Sequence, residues 1–168
     1  LDLRPEGKNG PMSRTIESHR EYAQRWASTW EKQAAVRARP IGEGSLADQA
    51  RGLFAELAYG GVSEADVRDI RLLKARMENE RLPRGIEPAR HVKLGPGGLT
   101  DVEWTIQLIQ MRAGTNNLAL RTPSTTQAIQ SARYHELITA QDAQTLLDAW
   151  DMATRIRAAN TLASGRMS

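Results

Sequence analysis

The chain has 168 residues, 23 of them Lys or Arg and 20 Asp or Glu, with no cysteine, 4 Trp and a single Phe; that length can bury the core of one domain. Charged and apolar fractions of 26% and 40% exclude a disordered chain, the lack of cysteine excludes a disulfide framework or thiolate zinc site, and without a long apolar run or a basic-then-apolar leader neither membrane nor secretion is expected, but a cytoplasmic place. The formal charge is +3, but 19 of the 23 basic residues are arginines that alternate with acids, as on solvated helix faces, so no nucleic acid is expected as a partner.

In chain order, residues 1–4 alternate like a strand, with Leu1 and Leu3 on one face, and residues 11–13 read as extended. The sequence opens within that strand and without Met, which predicts a piece of a longer chain. From there the pattern is helix after helix. A hydroxyl stands three residues before an acid at Ser28/Glu31, Ser45/Asp48, Ser63/Asp66, Thr100/Glu103 and Thr139/Asp142. That spacing lets the hydroxyl cap the first turn while the acid reaches back to the cap amide. With these starts, and Pro40, Pro83 and Gly165 as stops, helices are predicted over 15–26, 29–38, 46–59, 64–81, 100–113, 124–135 and 140–164. Gly60-Gly61 and Asn116-Asn117 read as turns between them.

Helix 64–81 carries one apolar stripe, Val67, Ile70, Leu73 and Met77, as an outer helix does. Helix 100–113 carries two, Val102/Ile106/Ile109/Ala113 and Trp104/Leu108/Met111, about half a turn apart. Such a helix needs cover on both sides and belongs at the centre. The last helix spans about 38 Å at roughly 1.5 Å per residue. The fold class is therefore mainly α, a helical bundle around 100–113, with at least six helices and no sheet of three or more strands.

Three stretches carry more than a packing pattern. Leu3-Arg4-Pro5-Glu6-Gly7-Lys8-Asn9-Gly10-Pro11 is a strand end running into a turn, either a plain loop or an anion-facing one through Arg4 and Lys8. In Thr29–Pro40, Arg37 and Arg39 either face an anion or simply favour the helix dipole at its C-terminal end. In His91–Trp104, Gly95, Gly97 and Gly98 free the backbone beside a helix start, with Lys93 nearby. This is either an anion site or a structural corner shaped by its glycines. It is neither a Walker A loop nor a dinucleotide fingerprint.

In this order, the stretches resemble the glutamine synthetase adenylyltransferase family, whose sister is the uridylyltransferase of the PII signal protein. The matching residues are Leu3-Arg4-Pro5-Glu6-Gly7 with Gly10-Pro11, Trp30-Glu31 through Arg37-Ala38-Arg39, and Lys93-Leu94-Gly95 with Gly97-Gly98-Leu99 and Asp101-Val102-Glu103-Trp104. Gln107-Leu108 and Leu120-Arg121-Thr122 extend the likeness over nearly the whole chain. The resemblance implies a polymerase-β-like nucleotidyltransferase domain followed by a helical domain, both present twice in a large cytoplasmic protein. One copy transfers AMP from ATP to a tyrosine of glutamine synthetase and the other removes it by phosphorolysis, with two Mg²⁺ held by carboxylates. The forms Thr29–Ala34 and Asp101–Trp104 look like the adenylylating copy. Residues 1–40 would be the C-terminal remnant of the nucleotidyltransferase domain, after its last strand, and 41–168 the helical bundle. Glutamine synthetase and a PII-type signal protein are the implied partners.

The sequence also departs from the family pattern. There, a Gly-Ser turn and an Asp-x-Asp pair precede the first stretch, and no residue here matches them, so no catalytic residue is expected in this chain and no tightly bound Mg²⁺ or ATP. A third family carboxylate falls just before Leu1. Asp2 and Arg4 share its strand face, which makes Asp2 a secondary metal candidate. The alternative function is a regulatory or docking module that binds glutamine synthetase, PII or glutamine without chemistry. The parent reading frame upstream of Leu1 separates the two.

Overall fold

The computed structural model describes residues 5–165 of the chain. Among these the long elements are all helices: α1 (Ile16–Arg25), α2 (Thr29–Ala35), α3 (Ser45–Tyr59), α4 (Glu64–Arg81), α5 (Leu99–Ala113), α6 (Thr125–Tyr134) and α7 (Ala140–Ser164). Short 3-10 turns stand at Gly7–Asn9, Pro88–Arg90 and Leu118–Leu120. The expected strand at 1–4 lies outside the described residues, and residues 11–13 form no strand.

Helix starts follow the hydroxyl chemistry, with two exceptions. The Ser28 amide and hydroxyl both donate to the Glu31 carboxylate at 2.8 Å. Ser63 and Asp66 exchange the same bonds, and Thr139 accepts from the Asp142 amide at 3.0 Å. The Ser45/Asp48 and Thr100/Glu103 expectations are corrected. There the caps are Gly44 and Gly98, so the hydroxyls already sit inside the helix. Thr15 and Ser124, which lack an acid at the third position, cap α1 and α6 instead. Helix α2 ends three residues before the expected 38, because the amides of Val36, Arg37 and Ala38 bond to carbonyls three residues back and tighten the chain into turns. At the far end Gly165, at φ +64°, closes α7 in the left-handed conformation.

Helix α5 is the hub, packed against α2, α3, α6 and α7. Its two stripes face two separate apolar clusters. Val102 and Ile106 join Leu120, Ala128, Ile129, Ala132 and Ala143 between α5, α6 and α7, with Ile109 and Ala113 at the margin. Met111, flanked by Trp104 and Leu108, joins Ala35, Val36, Ala58, Tyr59 and Ile70 between α2, α3, α4 and α5. Polar bonds pin the hub as well. The Gln33 amide donates to Gln107 at 2.9 Å in the buried α2–α5 contact, and Gln110 donates to the carbonyls of Leu120 and Thr122 at 2.6 and 2.8 Å. Ile106 is 1% exposed, so Ile106→Val is expected to lower unfolding free energy by about 1 kcal/mol in denaturant titration with the slope unchanged.

Candidate functional site at the start of the central helix

The chain reaches α5 through a corner whose bonds are nearly all internal. The Leu94 amide donates to His91 Nδ1 at 3.0 Å and the Gly95 amide to the His91 carbonyl at 2.7 Å. The amides of Leu99 and Thr100 donate to the carbonyls of Val92 and Lys93 at 2.9 and 3.0 Å, and the Thr100 hydroxyl to Lys93 at 2.7 Å. Asp101 then accepts the Gly97 amide at 2.7 Å and also binds Lys74 of α4, which holds Glu78 with the same ammonium. Burial pulls the Lys74 pKa down, but the bonds to Asp101 and Glu78 outweigh it and hold the group above its ordinary value.

The three glycines of this corner serve two physical needs. Gly97 takes φ +74° in open space, so its requirement is conformational. Gly95 and Gly98 do not have positive φ; a Cβ on Gly95 would lie 2.1 Å from the Pro88 carbonyl, and one on Gly98 2.7 Å from that of Val92. Lys93 is an exposed residue, and its carbonyl is bonded to the Thr100 amide and hydroxyl at the start of α5.

The other predicted cations lie on separate elements. Lys8 is exposed in the Gly7–Asn9 turn and Arg39 is exposed past the end of α2. Arg37 reaches across the molecule, donating to the Thr125 hydroxyl at 2.5 Å and pairing with Glu103 at 3.4 Å, so it ties α2 to α5 and α6. Arg4 and Asp2 fall outside the described residues. Among the described residues no three acidic or histidine side chains come together as a group that could hold a metal ion.

A second polar group, not anticipated from sequence, lies between α1 and α2. Tyr22 donates to Glu31 at 2.9 Å, and the second oxygen of Glu31 takes the Ser28 bonds. Arg14 pairs with Glu6 at 2.9 Å and lies 5.5 Å from the centre of the Tyr22 ring. Burial, then the bond to Glu31, raises the Tyr22 pKa; burial, then Arg14, lowers that of His19. The sequence hints at this group only through the i, i+3 spacing of His19 and Tyr22, which shares a face with many ordinary helix pairs.

Residues 1–53 match the family described as glutamate-ammonia ligase adenylyltransferase, and residues 71–167 match GlnD PII-uridylyltransferase. Three relatives carry the name bifunctional glutamine synthetase adenylyltransferase/adenylyl-removing enzyme. The one from Streptomyces coelicolor is 49% identical over 98% of this chain, that from Leifsonia xyli 46% over 96%, and that from Cutibacterium acnes 45% over 99%. The chain spans 17%, 16% and 17% of their respective lengths. No helix among the described residues is long and apolar enough to cross a membrane. With nearly the whole chain matched at 45–49% identity in these relatives, the chain belongs to the glutamine synthetase adenylyltransferase family.

Proposed function

We propose that this chain is the helical part of a cytoplasmic, Mg²⁺- and ATP-dependent enzyme that transfers AMP to a tyrosine of glutamine synthetase and, in a second copy of the same domains, removes it. Residues 1–40 close the nucleotidyltransferase domain, and 41–168 form the bundle behind it. The chain comes from the adenylylating copy, and the full-length protein answers to a PII-type signal protein. The observation that supports this reading is the Arg37–Glu103 pair at 3.4 Å, which joins the second family stretch to the third across the α2–α5 contact. The bundle's part in the chemistry is to hold the nucleotidyltransferase domain in register through the rigid corner at 91–100. Arg4, Lys8, Arg37, Arg39 and Lys93 are its candidate contacts for phosphate, and Asp2 borders the metal.

Because no residue of this sequence matches the family's Asp-x-Asp pair, the chain alone is expected to transfer no AMP. Incubation with glutamine synthetase, Mg²⁺ and labelled ATP should leave the synthetase unlabelled. Clear labelling would overturn the division of labour proposed here.

Lys93→Ala gives the sharper test of the corner. The first α5 amides are already taken by Val92 and Lys93 carbonyls, so an anion here would be held by the ammonium alone. In the full-length enzyme the variant should weaken ATP or the phosphorylated partner about fivefold, while unfolding free energy stays within roughly 0.5 kcal/mol, since an exposed side chain contributes little to stability. Unchanged affinity and rate would retire the anion role.

A further inference from the structure

Among the described residues, two besides glycine take positive φ, Glu6 at 63° and Glu136 at 56°. Glu136 follows the C-cap of α6, where helices commonly end left-handed, and there the Leu137 amide closes back on the Ala132 carbonyl at 2.9 Å. Glu6 ends no α-helix. A residue with a Cβ resists this conformation and keeps it only where its surroundings impose it.

At Glu6 every polar group is held. The carboxylate pairs with Arg14 at 2.9 Å, the carbonyl accepts the Asn9 amide at 3.3 Å, and the amide donates to the Tyr22 oxygen. Tyr22 in turn donates to Glu31 at 2.9 Å, and the second Glu31 oxygen is fixed by the amide and hydroxyl of Ser28. A line of bonds through Ser28, Glu31, Tyr22 and Glu6 thus ties the start of α2, across α1, to the loop. The loop is closed on itself as well, since a Cβ on Gly10 would lie 2.1 Å from the Pro5 carbonyl. Residues 5–10 therefore shift as one piece, and the Pro5 ring leaves its link to Arg4 little freedom.

We infer that Tyr22 and Glu31 are positioning residues for AMP transfer: they orient the 5–10 turn and, through Pro5, fix the place of Arg4 against phosphate. The inference rests on the adenylyl-transfer reading and on Arg4 as a phosphate contact; Tyr22 and Glu31 touch no substrate themselves. Their leverage is geometric, because a displacement of about 1 Å near reacting atoms costs on the order of a hundredfold in rate.

The test uses the full-length enzyme, with AMP transfer to glutamine synthetase as the readout. Tyr22→Phe keeps the ring and deletes the oxygen that serves both Glu6 and Glu31. Glu31→Gln turns one oxygen into a donor, which cannot accept from both Tyr22 and Ser28. Each should lower kcat about tenfold, with KM for glutamine synthetase within about twofold of wild type. The double variant should be no worse than the poorer single one, because both break the same line of bonds. Amide exchange over residues 5–10 should quicken about tenfold in Tyr22→Phe. Ile106→Val, which loosens the cluster of α5, α6 and α7 instead, should lower the melting temperature and leave kcat within about twofold. Losses that multiply to about a hundredfold in the double variant, an unchanged exchange rate, or an equal loss of kcat in Ile106→Val would each overturn the positioning role. A wild-type enzyme that transfers no AMP sinks the adenylyl-transfer reading and this inference together. A transferring wild type whose two single variants keep their rates sinks the inference alone.

Discussion

Replacing Asp66 with alanine should lower the unfolding free energy by about 2–4 kcal/mol, because one carboxylate holds two helix starts together. Asp66 is 12% exposed and accepts from the Ser63 amide at 2.9 Å, the Ser63 hydroxyl at 2.7 Å, the Thr29 hydroxyl at 2.9 Å and Lys32 at 3.0 Å. Alanine removes the acid half of the α4 capping box, leaves Lys32 of α2 without its partner and leaves Thr29 only its longer bond to Asp69 at 3.3 Å. Lys32 keeps 28% of its surface in water, which holds the loss to the lower part of what a fully buried ion pair would show. The same carboxylate sets an acid limit. Burial pushes its pKa up, but the bonds from Ser63, Lys32 and Thr29 outweigh burial and hold it well below the ordinary carboxylate range. A pKa depressed on folding means that the stabilisation is complete above the unfolded value of about 4 and is lost as the pH falls below it. Denaturant titrations should therefore show a fall in wild-type stability below that pH which Asp66→Asn, already weakened at neutral pH, largely lacks. A variant whose acid limb matches the wild type would show that the carboxylate is not the group responsible.

The second large effect belongs to the corner. Gly95→Ala places a Cβ 2.1 Å from the Pro88 carbonyl, a backbone atom that cannot rotate aside, and Gly98→Ala one at 2.7 Å from Val92. Either should lower stability by about 3 kcal/mol or more, with valine worse than alanine. Gly97→Ala meets nothing within 4 Å and suffers only the left-handed φ of +74°, so about 1 kcal/mol is expected there. Denaturation of the three alanine variants should give the order Gly95, Gly98, Gly97. If Gly97 proved the most damaging, backbone conformation rather than carbonyl crowding would govern the corner.

How far the sequence carries can be read from these same residues. The positions of the seven helices were legible from apolar period and, for most of them, a hydroxyl at the start, and the double stripe of 100–113 placed that helix at the centre and named its own residues in both clusters. Glycine importance at 95, 97 and 98 was legible too, but its reason was not, since crowding by Pro88 and Val92 exists only once the chain has folded back. Ser45 and Thr100 misled because a glycine ahead of each takes the cap first. Arg37 read as a helix-end cation; its partners Glu103 and Thr125 lie 66 and 88 positions away, and no local pattern announces a contact at that separation. The His19–Tyr22–Glu31 group was illegible for the same reason, as it depends on α1 folding against α2.

One helix shared by two apolar clusters also shapes how the molecule comes apart. The cluster of α6 and α7 is built from a late, continuous segment, while that of α2, α3 and α4 is built from an earlier one, and α5 is the wall common to both. Each side can therefore open as its own cooperative unit while the other keeps α5 helical. Amides of α5 should be the last to exchange with solvent, protected by whichever half remains closed. A lesion confined to one side loosens that side alone, whereas a lesion in α5 couples the halves and abolishes both.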